Sequence, residues 1–371
     1  MKINIASPGR FHVMDLAREL DKLGHDVRFY SFVPDRRAEK FGLRKECNAS
    51  LFVFMAPFLV LSKVFKGRFM RQLSILVQDY LTGILMRRCD VFIAMSGNYV
   101  YALKKAKRKG AVIIIERGSK HILEQKRILE SISSLKGKNP VSAFNVRREL
   151  AGYELADYIS IASEHVKRSF VERNYPADKL FVNPYGVDLS MFTYRPNHVS
   201  KPYDVLMVGC WCYQKGCDLI VKAIKQTSYT LLHVGSIGDL EFPEDKQFCH
   251  IPPVDQSKLT DYYSQAKVLI LPSRQDGFGM VLSQGVACNL PIIGSKDTGA
   301  EDLKRLVEHP EYVTIIKDYT PEALSEAIRI ALDKYKKLDS ASYAGSSIEK
   351  LSWAAYGERY QEMLQNIKTG G

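Results

Sequence analysis

The sequence predicts an α/β protein built from two doubly wound, parallel-sheet domains. Three observations carry this expectation. Short β-branched runs alternate with longer amphipathic ones along the chain, the pattern that sets parallel strands between helices. At 371 residues the chain exceeds what one ordinary hydrophobic core supports. The alternation also falls into two series, separated by a polar, Pro-containing stretch, Phe192 to Pro202 (FTYRPNHVSKP), which reads as a linker.

The first series places strands at Lys2–Ala6, Asp26–Tyr30, Val91–Met95, Ala111–Glu116 and Tyr158–Ala162. Helices are expected between them, including Met14–Leu23, Tyr99–Lys109 and Glu164–Arg173. The second series places strands at Asp204–Val208, Thr230–Val234, Val268–Leu271, Pro291–Ile293 and Tyr312–Ile316. Its helices are expected at Cys217–Lys225, Met280–Ala287 and Pro321–Lys334. The two domains then run over residues 1–190 and 203–350. A final amphipathic segment, Trp353 to Ile367 (WAAYGERYQEMLQNI), follows a Ser-rich turn and makes 351–371 a separate C-terminal helix. Open parallel sheets bind ligands beyond the carboxyl ends of their strands, so two facing domains would make a cleft with one substrate on each wall.

Composition narrows the class. The hydrophobic and charged fractions, 46% and 25%, are those of a soluble globular protein rather than a disordered or membrane-spanning one. Met1 to Ala6 is followed at once by the turn Pro8-Gly9-Arg10, so no signal peptide is expected. The most apolar stretch, Leu51 to Leu61 (LFVFMAPFLVL), is interrupted by Pro57 and too short to span a bilayer. Seven scattered cysteines argue for reduced thiols. Cys210, Cys212 and Cys217 lack metal-ligand spacing and a nearby histidine cluster, so no metal site is expected.

Charge is lopsided. Residues 1–190 carry 33 Lys and Arg against 19 Asp and Glu, a net of +14, while the remainder carries 20 against 22. Two basic segments stand out, Lys63 to Arg71 (KVFKGRFMR) and Lys104 to Lys109 (KKAKRK). Nucleic acid, an anionic membrane surface or a solvated helix face each accounts for such runs. Phe65, Phe69 and Met70 among the basic residues favour the membrane surface over nucleic acid.

The richest chemistry lies in Leu271 to Leu303 (LPSRQDGFGMVLSQGVACNLPIIGSKDTGAEDL). A strand ends at Pro272, a loop carries Asp276-Gly277-Phe278-Gly279, and a helix starts near Met280. Glycines at such a junction let backbone N–H groups approach an anion at the positive end of the helix. Asp276 and Gln284, eight residues apart, fall at the same mouth. In the first domain, Ser7-Pro8-Gly9-Arg10-Phe11-His12 puts a glycine where a strand meets a helix. Glu116-Arg117-Gly118-Ser119-Lys120-His121 follows a buried-looking strand, so its polar groups fall at the cleft. The first turn lacks the Gly-x-Gly-x-x-Gly of a nicotinamide dehydrogenase.

The DGFGMVLSQ segment resembles the donor-site signature of glycosyltransferase family 4. Further similar segments are YELADYISIAS (Tyr153–Ser163), KLFVNPYGVD (Lys179–Asp188), VGCWCYQKGCDLIVKA (Val208–Ala223) and the tryptophan-led C-terminal segment. A branch of that family also carries GRFH and ERGS-x-H segments. The resemblance implies a GT-B fold: two facing Rossmann-like domains, an interdomain cleft and a C-terminal helix crossing back to the first domain. It also implies metal-free transfer of a sugar, with retention, from a UDP- or GDP-type nucleotide sugar, with no other cofactor.

Carried over residue by residue, Asp276 contacts the donor sugar and Lys215 balances the leaving diphosphate. Gly209, Phe278, Gly279 and Met280 line the donor site, and Gln284 takes the position that grips the ribose. Three departures stand out: Cys210 replaces a diphosphate-binding arginine, Asp276 is one methylene short of the usual glutamate, and Gln284 is uncharged. Arg274 is a candidate replacement for the missing cation, with an exposed structural arginine as the alternative. His121 or Glu116 is the catalytic residue of the first domain, and Gly9, Arg10, His12, Arg117 and Ser119 lie on the acceptor side. The acceptor implied is a glycan or lipid-linked glycan of bacterial envelope assembly. The expected location is the cytoplasm, peripherally associated with the inner face of the plasma membrane. A binding protein that has lost turnover and a nucleotide-sugar 2-epimerase remain the alternatives.

Overall fold

The computed structural model describes residues 1–64, 67–138, 140–194, 201–338 and 343–369. The first sheet comprises β1 (Lys2–Ala6), β2 (Asp26–Ser31), β3 (Asn48–Ser50), β4 (Val91–Met95), β5 (Val112–Arg117), β6 (Tyr158–Ile161) and β7 (Leu180–Val182). The second comprises β8 (Tyr203–Val208), β9 (Leu231–Val234), β10 (Phe248–Ile251), β11 (Ala266–Leu271), β12 (Ile292–Ser295) and β13 (Val313–Ile316). Their orders are β3-β2-β1-β4-β5-β6-β7 and β10-β9-β8-β11-β12-β13, parallel throughout. Such sheets are covered on both faces, which is why Phe92, Ile93, Ile113, Ile114, Leu269 and Ile270 are wholly buried on neighbouring positions of single strands.

The helices of the first half are α1 (His12–Lys22), α2 (Asp35–Lys40), α3 (Phe52–Val64) and α4 (Arg68–Leu85). They continue with α5 (Val100–Arg108), α6 (Ile122–Ser131), α7 (Ala143–Leu155) and α8 (Glu164–Val171). The second half has α9 (Cys217–Lys225), α10 (Leu259–Tyr263), α11 (Met280–Ala287), α12 (Ala300–Leu306) and α13 (Pro321–Tyr335), and α14 (Trp353–Thr369) closes the chain. In each sheet the strand order reverses at one pair, β1/β4 and β8/β11. The loops after those strands open into a crevice, so topology alone brings Ser7–Phe11, Gly209–Lys215 and Pro272–Gly279 to the ligand-binding edge.

The three strands absent from the sequence expectation, β3, β7 and β10, are all edge strands of three or four residues. A strand that short has no room to display a period. The apolar stretch at Leu51–Leu61 forms most of α3, with Pro57 inside the helix. Among the described residues no helix is long and apolar enough to cross a membrane. The linker begins later than its polarity implies, because Phe192 is buried against Tyr263 with ring centroids 5.7 Å apart. Positions 195–200 of that stretch lie outside the described residues.

α14 returns to the first domain and packs on α1, burying Tyr356, Tyr360 and Leu364. Asn183 pins it, its amide donating to the Tyr356 carbonyl at 3.1 Å and its oxygen accepting from Arg359 Nε at 2.7 Å. The approach is close enough to require glycine: a Cβ on Gly186 would lie 2.7 Å from Trp353 Cα. Gly186→Ala is therefore expected to lower unfolding free energy by about 1–3 kcal/mol through overpacking, read as a lower urea midpoint. An unchanged midpoint would show that α14 docks with slack.

Candidate active site

The two switch-point edges face each other across a cavity of about 830 Å³ lined by both domains. On the second-domain wall, Gly209 follows β8 at φ 132° and its carbonyl accepts from His233 Nε2 at 2.9 Å. Lys215, just before α9, reaches Asp276 Oδ2 at 2.5 Å. Burial opposes the charge on Lys215, but the Asp276 carboxylate outweighs it and holds the ammonium above the ordinary lysine range. Asp276 Oδ1 accepts from the Gly277 N–H at 2.9 Å, which fixes the carboxylate on its own loop.

The loop then turns at Gly279, whose φ of 78° suits glycine and whose Cβ, if present, would meet Leu271 at 2.4 Å. α11 starts there with no side-chain cap, so its first amides open toward the cavity beside Gly279, Met280 and Val281. The Phe278 carbonyl is tied down by the Gly299 N–H at 2.7 Å. One wall thus offers an ammonium, a carboxylate and the positive end of a helix to the same space. That set suits an anion joined to a polyhydroxyl group.

On the first-domain wall, α1 begins at His12, whose Nε2 donates to Glu116 Oε2 at 2.9 Å. Its ring lies 4.2 Å from that of Tyr185. His12 and Arg10 line the cavity; Glu116, 1% exposed at the end of β5, stands behind His12 and orients it. The pairing spans 104 residues of sequence and was not visible there.

The walls make their closest backbone contact at Gly277. A Cβ on Gly277 would lie 2.0 Å from the Gly118 carbonyl oxygen. The Gly277 carbonyl accepts from Ser163 Oγ at 2.7 Å and His165 Nε2 at 3.0 Å, both from the first domain. Burial, with Lys120 nearby, pushes His165 down to about 3, so the ring is neutral and its proton sits on Nε2. The Gln275 side-chain amide donates to Ser119 Oγ, and Lys120 pairs with Asp297 at 2.8 Å.

Several residues expected at the site lie elsewhere. His121 caps α6, its Nδ1 accepting from the Leu123 N–H at 3.3 Å, and its ring packs on Tyr153 and Phe170. Burial first, then Arg173 and Arg117, lower it to about 4. It does not line the cavity. Arg117 is buried against Glu149 at 2.7 Å. Arg274 is bound by Asp218 at 2.6 and 2.8 Å and lines a different cavity of about 630 Å³. Gln284 is buried, its Oε1 accepting from the Tyr263 hydroxyl at 2.8 Å, while Met280 and Val281 occupy the wall one turn earlier. Gly9 shapes the first loop without lining the cavity. Arg37, Lys40 and Phe41 do line it; their segment carries no motif that sequence reasoning could have used.

The family profile described as Glycosyltransferase Family 4 matches residues 10–191, and that of Glycosyl transferases group 1 matches 193–347. The chain belongs to glycosyltransferase family 4. Among curated relatives, the D-inositol 3-phosphate glycosyltransferase of Kineococcus radiotolerans is 24% identical over 284 residues, 66% of this chain and 65% of the relative. The chain thus spans a little under two thirds of that relative's length, and 53% of that of the namesake from Xylanimonas cellulosilytica. Two solved structures superpose end to end. Sucrose-phosphate synthase from Thermosynechococcus elongatus has a TM-score of 0.72 at 15% identity, covering 100% of both chains. Anabaena HepE, solved with UDP and glucose, has a TM-score of 0.65 at 14% identity, covering 99% of this chain and 100% of its own. At these identities the likeness shows the GT-B fold.

Removing either donor leaves the buried Gly277 carbonyl with one of its two hydrogen bonds. Ser163→Ala and His165→Ala are each expected to cost about 1–3 kcal/mol in urea unfolding. His165→Gln, whose amide can donate, should recover part of the loss, and equal loss in both histidine variants would show that packing rather than the hydrogen bond matters.

Proposed function

We propose that the protein is a metal-independent, retaining glycosyltransferase moving a hexosyl or related sugar from a UDP- or GDP-type nucleotide sugar to a glycan or lipid-linked acceptor. The role we infer is bacterial cell-envelope polysaccharide or lipopolysaccharide synthesis. The observation that carries the reading is the convergence of Lys215, Asp276 and the uncapped start of α11 on one cavity, opposite His12 backed by Glu116. HepE, of like fold, holds UDP and glucose, which supports a nucleoside diphosphate donor.

As the glycosidic bond breaks, negative charge develops on the leaving diphosphate. A fixed ammonium and oriented amides stabilise that charge most when it is fully developed, and they need no reorganisation to do so. Lys215 in this reading swaps its Asp276 partner for diphosphate oxygens, freeing Asp276 for the sugar hydroxyls. His12, its Nε2 held by Glu116, orients the acceptor hydroxyl. Phe278, Gly279 and Met280 present backbone amides, and Gly209 lets the donor approach the end of β8. Arg274, Arg117 and His121, held as described, support the walls.

Purified protein should be screened for donor binding with UDP, GDP, ADP and their sugars, then assayed for transfer or hydrolysis in EDTA. Transfer is expected to survive chelation. Lys215→Ala should lower kcat by about 100-fold or more while changing donor affinity much less, as for an oriented group acting in the transition state. Binding without turnover would point instead to a protein that has lost catalysis, and abolition of transfer by EDTA with rescue by manganese would sink metal independence.

The same reading sets the protein in the cytoplasm, on the inner face of the plasma membrane. α3 exposes Val53 at 78% and Val60 at 62%, and α4 exposes Phe69 at 74%, on a domain with a net charge of +14. Of the basic segment inferred from sequence, residues 65 and 66 lie outside the described residues. Apolar side chains beside basic ones bind an anionic interface through burial and charge together. Vesicles containing phosphatidylserine should sediment the protein at low salt and release most of it at high salt; equal sedimentation with neutral vesicles would refute the electrostatic part.

A further inference from the structure

The first-domain wall carries positive charge that the donor chemistry leaves unused. α2 turns Arg37 and Lys40 to the cavity; both are exposed, and neither has an ion-pair partner among the described residues. Arg10 sits between them and the second domain. Its guanidinium lies 3.5 Å from the Phe41 ring centroid, and its Nη2 donates to Gln256 Oε1 at 3.2 Å. Those partners are neutral. Burial, and to a lesser degree the nearby Arg37 and Arg18, lower the Arg10 pKa, with Asp15 opposing.

The acids around this wall are engaged or remote. Asp15 is bonded to Arg18 at 2.7 Å, and Arg18 also binds Glu19, which Lys22 shares. Asp255 faces the cluster from the second domain and is fully exposed. Asp188 accepts from the Ser190 hydroxyl of its own loop at 2.6 Å. Arg10, Arg18, Arg37 and Lys40 against Asp15, Asp188 and Asp255 leave one positive charge in excess. α1, eleven residues long, begins two positions after Arg10 with no side-chain cap, which adds the positive end of a helix.

A partly buried guanidinium with only neutral partners is incomplete in the way a ligand site is, because planar donors and point charges together suit a tetrahedral oxyanion. Lys215 and α11 provide for the donor diphosphate from the opposite wall. We propose that Arg10, Arg37 and Lys40 bind a phosphate-type oxyanion carried by the acceptor substrate. The inference rests on the donor occupying the Lys215 wall as proposed above. It makes the acceptor a phosphorylated molecule and makes α2 the element that selects it.

Inorganic phosphate, titrated by calorimetry at constant ionic strength into the whole protein, reads the cluster directly. The titration is run on the free protein and on protein saturated with whichever nucleoside diphosphate binds. Phosphate is expected to bind both forms. The Arg37→Ala/Lys40→Ala variant should weaken phosphate about tenfold or more while leaving nucleotide affinity within about twofold. No phosphate binding at tens of millimolar overturns the proposal. So does competition between phosphate and nucleotide with nucleotide affinity lost in the double variant, which would assign the cluster to the donor diphosphate.

Transfer to matched sugars with and without a phosphate separates an acceptor phosphate from free phosphate. The phosphorylated acceptor should have about tenfold higher kcat/KM in the wild type, and the double variant should lose that preference. Equal use of both acceptors by the wild type refutes the acceptor assignment. Since phosphate is also read on nucleotide-free protein, failure of every nucleotide to bind would remove the donor reading alone.

Discussion

Two donors from the first domain, the Ser163 hydroxyl and the neutral His165 ring, converge on the Gly277 carbonyl of the second, and the shape of the cleft follows from that convergence. The carbonyl belongs to the loop that carries Asp276 on one side and the start of α11 on the other. Holding it fixes the carboxylate, the amides and the distance between the walls at once. Only glycine fits there, since any side chain would strike the Gly118 carbonyl. The walls therefore touch backbone to backbone on one side and diverge into the cavity on the other.

Charge in the site is distributed by whether each cation has an internal partner. Arg274 is spent on Asp218 and Arg117 on Glu149, so both act as struts. Lys215 has a partner on the cavity surface, one that a stronger anion can displace. Arg10 has none. The grading separates cations held inside the walls, Arg274 and Arg117, from those that line the cavity between them, Lys215 and Arg10.

Much of the fold was legible in the sequence. β1, β4, α9 and α11 begin and end where the pattern of apolar residues places them, because fully buried central strands and amphipathic helices write their period strongly. That Gly209, Lys215, Asp276, Phe278, Gly279 and Met280 share one edge was legible too, since they fall in two strand–loop–helix turns, after β8 and after β11, whereas the inward turn of Arg274 and Gln284 was not. What escaped is long-range. The His12–Glu116 pair joins residues 104 apart, the Arg274–Asp218 pair 56 apart, and the contact of Gly277 with His165 112 apart. No local pattern encodes such partners. His121 shows the converse: a histidine after a buried strand suggests catalysis, while its place as a helix cap beside Tyr153 and Phe170 is set by partners distant in sequence.

α14 gives the chain an order of assembly. The helix that covers α1 is made only after the whole second domain, whereas α1 is made before it. During synthesis the first domain must wait, with the α1 face that receives Tyr356 and Tyr360 unshielded, until the whole second domain has emerged. The Tyr356 hydroxyl then comes to 3.5 Å from Glu116, beneath His12. A product truncated before α14 therefore lacks both Trp353 on its cleft wall and the Tyr356 hydroxyl beside Glu116.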